Sequence, residues 1–382
     1  MHLYRQIFAA TTLASHFDDR SLIDAMLRYE VAWTRACALH GLVPTSSADA
    51  IVRACADLTA TPPSLDTGAL LAGNPVLPLV DALRERVTLA LPTAREHVHF
   101  GATTQDVLDS ARNLQMKSAL DALDTVLGPS IDALTCMVRA HRHTPCLART
   151  LMRQARATTF GLLAAQWRAA LIEARAQLLA VREKLPLQFG GACGTLEGLG
   201  AVGLDIASDV ALALELRLPD LPWHTRRGII IETATALGML AGSAGKIARD
   251  VSLLSQDEVA ELAEPWQPGR GASTAMAHKR NPVACAAILA QAQRASGLVS
   301  ILFAAMPQEH SRALGGWQAE WETLPELFMS AGAAATQLAN LCAGLQVFPA
   351  RMASNLQIAG ISQPDAELLA AVDGLIDRAL RD

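Results

Sequence analysis

Five long segments after residue 100 carry the residue pattern of long helices. They lie near residues 104–143, 157–185, 228–263, 281–306 and 320–346. The third segment has 36 residues, and a helix of that length is about 54 Å long at a rise of ~1.5 Å per residue. Helices of this length pack side by side, so the segments predict a helix bundle over residues 96–347.

Individual residues mark the expected ends of these helices. Thr103 or Thr104 is expected to cap the first one, with Asp106 in its first turn. Gly128 and Pro129 should kink or split that helix, because proline removes a hydrogen-bond donor and clashes with the preceding turn.

A smaller helical domain is expected over residues 1–95. Within it, apolar residues recur at spacings of three and four along 21–40, which places them on one helix face. Ser21 is expected to cap this helix, and Gly41 to end it. Residues 348–382 are expected to form a short helical tail.

Composition narrows the possible classes of protein. Half of the chain is hydrophobic (51%), 18% is charged and only 4% is aromatic, which favours an all-α protein over a β-sandwich. The net charge is −5 and no block of basic residues occurs, so nucleic acid is not an expected partner. The start of the chain lacks the apolar core of a secretion signal, and the seven cysteines form no C-x-x-C pair. A cytoplasmic location without membrane attachment is expected.

The stretch 327–350 is uncharged and apolar or small on nearly every face. Gln337, Asn340 and Gln346 weaken a membrane-spanning interpretation. A helix of this kind must be surrounded, and five helices seldom surround one of their own members. Packing against further copies of the chain is therefore expected, and cover by other elements of the same chain is the alternative.

The loop 269–282 is the most unusual part of the sequence. It begins with small residues that permit close approach to a ligand, and it ends where a helix should start. Arg270, Lys279 and Arg280 add three positive charges. Free N–H groups and the dipole at a helix start favour an anion, so the loop is either a carboxylate or phosphate site or a solvated basic surface.

The residues of this loop resemble the signature G-S-S-x-M-P-x-K-x-N-P of the fumarase/aspartase superfamily, and in particular its 3-carboxy-cis,cis-muconate cycloisomerase branch. The resemblance implies an all-α fold with a long central bundle. It also implies that Ser273 is the catalytic base and that Lys279 and Asn281 hold a substrate carboxylate. His278 is a further candidate for substrate contact. Ala272, Thr274, Ala275 and Ala277 depart from the signature.

Other stretches extend the likeness over about residues 2–357. His99 to Asp106 resembles the family's H-x-G-x-T-S-x-D, which implies that His99, Thr103, Thr104 and Gln105 lie at a carboxylate-binding loop. Gln188 to Thr195, Pro222 to Thr225 and Met306 to Leu327 resemble further cycloisomerase segments, and Arg312 matches a family arginine. Thr150 matches the threonine of the family's R-T-H-x-Q, and Arg153 stands where that motif has glutamine.

Two absences distinguish the branches. Leu151 stands where the fumarase and adenylosuccinate lyase branches have a catalytic histidine, and Ala286 stands where they have its glutamate. Neither side chain can transfer a proton. Both halves of the pair are missing together, as in the muconate branch.

The resemblance implies lactonisation of a 3-substituted muconate, without a metal or organic cofactor, in a homotetramer whose sites are shared between subunits. A β-eliminating lyase of the adenylosuccinate or argininosuccinate type, which releases fumarate, is one alternative. A non-catalytic helical oligomer is another. His97-x-His99 and His141-x-His143 lack further ligands at metal-binding spacing, so a metal site is not expected.

Overall fold

The computed structural model describes Leu3, Tyr4, Gln6 and residues 12–381 of the chain. Twelve α-helices form in this part, in the order α1 (Asp19–Leu39), α2 (Thr45–Ala60), α3 (Asp66–Ala72), α4 (Val76–Ala90), α5 (Thr104–Ala140), α6 (Phe160–Lys184), α7 (Gly203–Leu214), α8 (Gly228–Leu254), α9 (Val283–Ala305), α10 (Gly316–Ala343), α11 (Pro349–Ile358) and α12 (Ala366–Ala379). Short 3-10 helices cover Thr12–His16, Pro92–His97 and Gly200–Val202.

The five long helices of the bundle are α5, α6, α8, α9 and α10, which confirms the predicted all-α fold. Pro129 lies inside α5 without splitting it. The third long helix is shorter than the segment 228–263 that the sequence pattern predicted. Helix α8 ends at Leu254, and the chain then turns before Ala260, whose φ is 51°.

The first helix begins earlier than the sequence indicates. Asp18, not Ser21, is the residue that caps α1, and its carboxylate accepts the backbone N–H of Ser21 at 2.8 Å. The expected cap by Ser21 is wrong because the preceding aspartate is better placed to accept from the first turn. Gly41 follows the helix with a φ of 76°, as predicted.

The bundle is not helical throughout, since two small antiparallel sheets form. Strands β1 (Pro145–Thr150) and β2 (Arg153–Thr159) form a hairpin between α5 and α6. Strands β3 (Leu262–Ala263) and β4 (Gln346–Val347) pair antiparallel, which joins the segment after α8 to the segment after α10. The sequence pattern predicted none of these strands.

The N-terminal helices and the bundle share one continuous core. Helix α1 packs on α5, and core residues run from Leu13 to Met352. Helices α11 and α12 form the tail, with α12 packed on α6. The division at residues 95 and 347 stays a prediction.

The apolar stretch 327–350 is surrounded by its own chain. Most of α10 is buried, and it packs against α5, α8 and α9. At the N-terminal side, the ring of Phe17 contacts that of Phe328 in a tilted arrangement, with ring centroids 4.9 Å apart. Cover by the same chain, the alternative interpretation, therefore holds for this helix: α5, α8 and α9 supply most of the cover, and its burial does not require further copies of the chain.

Two other helices leave apolar surface exposed. In the described part of the chain, α8 and α9 are long and apolar enough to cross a membrane, although such helices also occur in the cores of soluble proteins. Only a third of the most apolar window of α9 is buried. Its exposed residues include Ile301 and Phe303, and α8 exposes Met239.

Candidate functional site

The predicted site residues fall into three groups, and the first lies at the start of α5. Thr103 is the N-cap residue, and its backbone N–H donates to Asp106 Oδ2 at 3.1 Å. The same oxygen accepts the N–H of Gly191 at 2.9 Å, and Oδ1 accepts from Nε2 of His224 at 2.8 Å. Asp106 therefore caps its own helix and joins two distant segments, at Gly191 and His224, to the start of α5. Thr104 lies beside it and is half-buried.

Arg312 is fixed at the same place. Its guanidinium donates to Gln105 Oε1 at 2.7 Å and to the backbone oxygens of Gly191 and Ala192 at 2.8 and 2.9 Å. Gln105 is buried, and its amide nitrogen donates to Asp109 at 3.0 Å and to the carbonyl of His224 at 2.8 Å. Gln105 is thus engaged by protein atoms on both ends of its amide, and it orients Arg312.

A buried network of ion pairs is connected to this group through Asp109, which bonds both Gln105 and Arg227. Arg227 bonds both oxygens of Asp109, at 2.7 and 3.0 Å, and both oxygens of Glu320, at 2.9 and 2.5 Å. Burial alone would raise the pKa of Asp109, but the charge of Arg227 and the hydrogen bonds from Arg227, Gln188 and Trp317 together lower it. For Glu320 burial dominates and the pKa is raised. This network has no signature in the sequence, because Arg227 is 118 residues from Asp109 and 93 residues from Glu320.

His99 is the remaining member of the first group. It precedes the loop into α5 with a φ of 62°, a conformation that is uncommon for residues other than glycine. Its ring contacts the buried carboxylate of Glu30 on α1. Glu30 belongs to none of the motifs found in the sequence.

The second group lies at the tip of the β1–β2 hairpin. Thr150 and Arg153 face each other across the turn, and both are exposed. Leu151 and Met152 form the turn with φ values of 49° and 64°, and their exposed fractions are 97% and 74%. Near the tip, the hairpin is held to the segment after α8 by Arg149, which bonds both oxygens of Glu261 at 2.7 and 3.1 Å.

The third group is the loop before α9. The hydroxyl oxygen of Ser273 accepts the backbone N–H groups of Ala275 at 3.3 Å and Met276 at 3.2 Å. These two donors favour an alkoxide at this oxygen, because hydrogen bonds to a charged form stabilise that form.

The same loop borders a cavity of about 750 Å³. Lys279, His278 and Asn281 line it, together with Trp266 and Phe348. The backbone and side-chain nitrogens of Asn281 both donate to the carbonyl of Gly271, at 2.8 and 3.1 Å, which closes the loop at its base.

The start of α9 is not free to receive an anion, contrary to the sequence-based expectation. Glu264 already occupies it: its carboxylate accepts the N–H groups of Ala284 at 3.1 Å and Cys285 at 2.8 Å. Arg270 lies 3.4 Å from the same carboxylate. Of the three positive charges in this loop, that of Arg270 is paired with Glu264, whereas Lys279 and Arg280 form no ion pair with the described residues.

The three groups remain separate in a single chain. Across the residues that the structure describes, no hydrogen bond or ion pair joins any two of them. Each group presents polar or cationic atoms at a surface. No single group contains all of the residues that were predicted to bind the substrate and transfer its proton. The described residues also contain no cluster of three or more His, Cys, Asp or Glu residues suited to a metal ion.

Comparison with known proteins matches the chain to one family whose members carry different activities. A family model described as a lyase matches residues 6–297. The chain is 44% identical over 355 residues to the 3-carboxy-cis,cis-muconate cycloisomerase of Bradyrhizobium diazoefficiens, which covers 93% of this chain and 79% of that protein. It is 40% identical over 383 residues to the nitrosuccinate lyase of Streptomyces davaonensis, which covers 97% of this chain and 80% of that protein.

A solved structure extends the similarity to three dimensions. The crystal structure of 3-carboxy-cis,cis-muconate lactonizing enzyme from Pseudomonas putida matches with a TM-score of 0.87 and 38% identity. The match covers 100% of this chain and 88% of that one.

Proposed function

Because the chain belongs to the lyase family, and within it to the carboxymuconate cycloisomerase branch of the fumarase/aspartase superfamily, we propose that it lactonises 3-carboxy-cis,cis-muconate or an analogue with another anionic 3-substituent. The observation that carries the proposal is the environment of Ser273, whose oxygen accepts two backbone N–H groups on a loop that also bears Lys279.

The reaction needs one new C–O bond and one proton. A carboxylate oxygen of the muconate adds to a double-bond carbon, and the electron pair of that bond moves to the adjacent carbon and its carboxylate as an enediolate. Ser273 then delivers its proton to that carbon, and the N–H groups of Ala275 and Met276 stabilise the oxygen left behind. Solvent returns the proton. Lys279 and Asn281 hold the carboxylate on which charge accumulates, since a cation there stabilises the transition state.

This chemistry explains why Leu151 and Ala286 can replace the histidine and glutamate of other branches. The attacking group is a carboxylate with an ordinary pKa near ~4, so it is already ionised at neutral pH. No base is needed to activate it. In a lyase whose leaving group must be protonated, the same replacement would remove an acid that the reaction requires.

We further propose a homotetramer with active sites shared between subunits. The separation of the three groups supports this, because Thr150 and Arg153, the Ser273 loop, and Arg312 with His99, Thr103 and Thr104 must meet around one substrate. The exposed apolar residues of α8 and α9 give the copies a surface to share. We propose that this surface is buried in a tetramer and not in a lipid bilayer. We also propose that the enzyme is cytoplasmic.

A direct assay tests the function. The purified chain is offered 3-carboxy- and 3-sulfo-cis,cis-muconate, and loss of the ultraviolet absorbance of the conjugated diene is followed. Turnover of either compound to the lactone supports the proposal and identifies the 3-substituent. Native tetramers that are inert toward both would contradict it and favour a non-catalytic oligomer.

A second candidate is a β-elimination that breaks a C–N bond. The 40% identity to a nitrosuccinate lyase over 97% of the chain favours it. Nitrite is a stable anion as it leaves, so this reaction also proceeds without the missing histidine. Release of nitrite and fumarate from nitrosuccinate, with no loss of muconate absorbance, would support this alternative over lactonisation.

A further inference from the structure

Glu30 is a buried carboxylate with one hydrogen-bond partner. It lies in the middle of α1, its side chain is 1% exposed, and its Oε1 accepts from Nδ1 of His99 at 2.6 Å. The other oxygen, Oε2, is buried without a hydrogen-bond partner in the described chain. A buried charge is costly unless it is paired, so Glu30 depends on His99 for compensation.

Helix α1 holds the loop before α5 at two points. Three residues after Glu30, Trp33 donates from Nε1 to the carbonyl of Phe100 at 2.7 Å. Residues three apart lie on the same helix face. The side chain of His99 and the backbone of Phe100 are therefore both fixed to one face of α1, which keeps His99 in its left-handed conformation.

The contact with Glu30 leaves the second ring nitrogen of His99 available. Nε2 makes no hydrogen bond within the described residues, and the side chain is 14% exposed. His99 stands four residues before Thr103, the N-cap residue of α5, and the first turn of that helix contains Gln105, to which Arg312 donates. A protonated ring donates from both nitrogens, one to Glu30 and the other outward.

We propose that Glu30 is a positioning residue, which holds His99 as an imidazolium whose Nε2–H donates to a carboxylate of the substrate. This deepens the proposed function and rests on it for the identity of the substrate. The role of His99 is then that of a cationic anchor and not of a base.

The charges around His99 agree with this assignment. Burial is the largest single influence on His99 and lowers its pKa, but the charge and the hydrogen bond of Glu30, together with the charge of Asp106 on α5, raise the pKa above its ordinary value. Arg84 on α4 lowers it. Tyr29 and Cys37 of α1 and Cys55 of α2 face Glu30, and each has its pKa raised, so they stay neutral beside it.

The test is Glu30→Gln, which keeps the shape and one acceptor but removes the charge. Without the charge of Glu30 to oppose it, burial lowers the pKa of His99. Since the imidazolium is lost as the pH rises through that pKa, the alkaline loss of kcat/KM moves to lower pH. At neutral pH we expect KM to rise about tenfold, the loss of roughly one charge-assisted hydrogen bond, with kcat changed less than KM.

Two readouts separate this role from a structural one. The ring resonances of 13C-labelled histidine, with His99 assigned by its absence in His99→Gln, report the titration directly and need no substrate. In a His99→Gln background, Glu30→Gln should lower kcat/KM no further. The matched control is Glu261→Gln, an equally buried carboxylate paired with Arg149, which should leave the His99 titration unchanged.

An unchanged titration of His99 in Glu30→Gln, or an additional loss of kcat/KM in the His99→Gln background, would overturn the proposal. If Glu30→Gln does not fold, the wild-type resonance decides, because titration below the ordinary histidine pKa would overturn it as well. A shifted titration in a chain that turns over neither muconate would leave the Glu30–His99 pair standing and refute the proposed function.

Discussion

The side-chain carboxylate of Glu264 accepts the backbone N–H of Cys285 at 2.8 Å, and so fills the start of α9 with an anion from its own chain. The same carboxylate lies 3.4 Å from Arg270 at the beginning of the Ser273 loop. Glu264 thereby connects both ends of the loop to the bundle.

We expect Glu264→Gln to destabilise the chain by about 1–2 kcal/mol, because the negative charge at the helix start and the pairing with Arg270 are both lost. Urea unfolding measures the change. Glu258→Gln, an exposed carboxylate just after α8, is the control and should cost much less. Equal stability of the Glu264→Gln and wild-type chains would mean that the cap is not holding the loop.

Ser273→Ala should reduce kcat by a factor of about 100 to 10,000, the range typical for removal of a positioned acid–base group, with little change in KM. Steady-state kinetics with the muconate that the protein turns over provide the measurement. Thr274→Ala removes the neighbouring hydroxyl and should keep kcat within about threefold. Retention of most activity by Ser273→Ala would refute its assigned role.

Active sites shared between subunits predict complementation. Ser273→Ala and Arg312→Met change different groups of the site, and each should be inactive alone. When the two are co-expressed, mixed tetramers combine an intact Ser273 loop from one chain with an intact Arg312 from another, so part of the activity returns. No recovery in mixed oligomers, verified by differently tagged chains, would show that each site is built within one chain.

Arg227→Met should be strongly destabilising, by about 3–5 kcal/mol, because it leaves Asp109 and Glu320 buried without a compensating cation. Equilibrium unfolding in urea gives the value. Arg182→Met breaks the partly exposed pair with Asp121 and should cost at most ~1 kcal/mol. Similar losses in both variants would argue against a special role for the buried network.

The long helices could be predicted, because their patterns depend on residues that are close in sequence, as Thr103 and Asp106 are. The roles in the Ser273 loop, in contrast, rest on the family resemblance and stay predictions. The β1–β2 hairpin could not be predicted, since its turn is made by Leu151 and Met152, whereas tight hairpin turns favour asparagine and glycine.

The hydrogen-bond partners of the site residues could not be predicted from the sequence either. Glu30 is 69 residues from His99, and Glu264 is 21 residues before Cys285. Neither carboxylate belongs to a local pattern, and only the packing of α1 and α9 brings them into position. Burial of α10 by Phe17 likewise depends on a contact between opposite ends of the chain.

The hairpin turn is an opportunity for protein engineering. Two consecutive left-handed residues that are neither glycine nor asparagine cost roughly 1–2 kcal/mol each. Replacing Leu151 and Met152 with the pair Asn-Gly would relieve that cost, so the free hairpin should become more rigid and more heat-resistant. The kcat of such a variant would stay unchanged only if the apolar side chains at the hairpin tip have no role at the substrate. If they do have one, thermal stability and turnover place opposite demands on this turn.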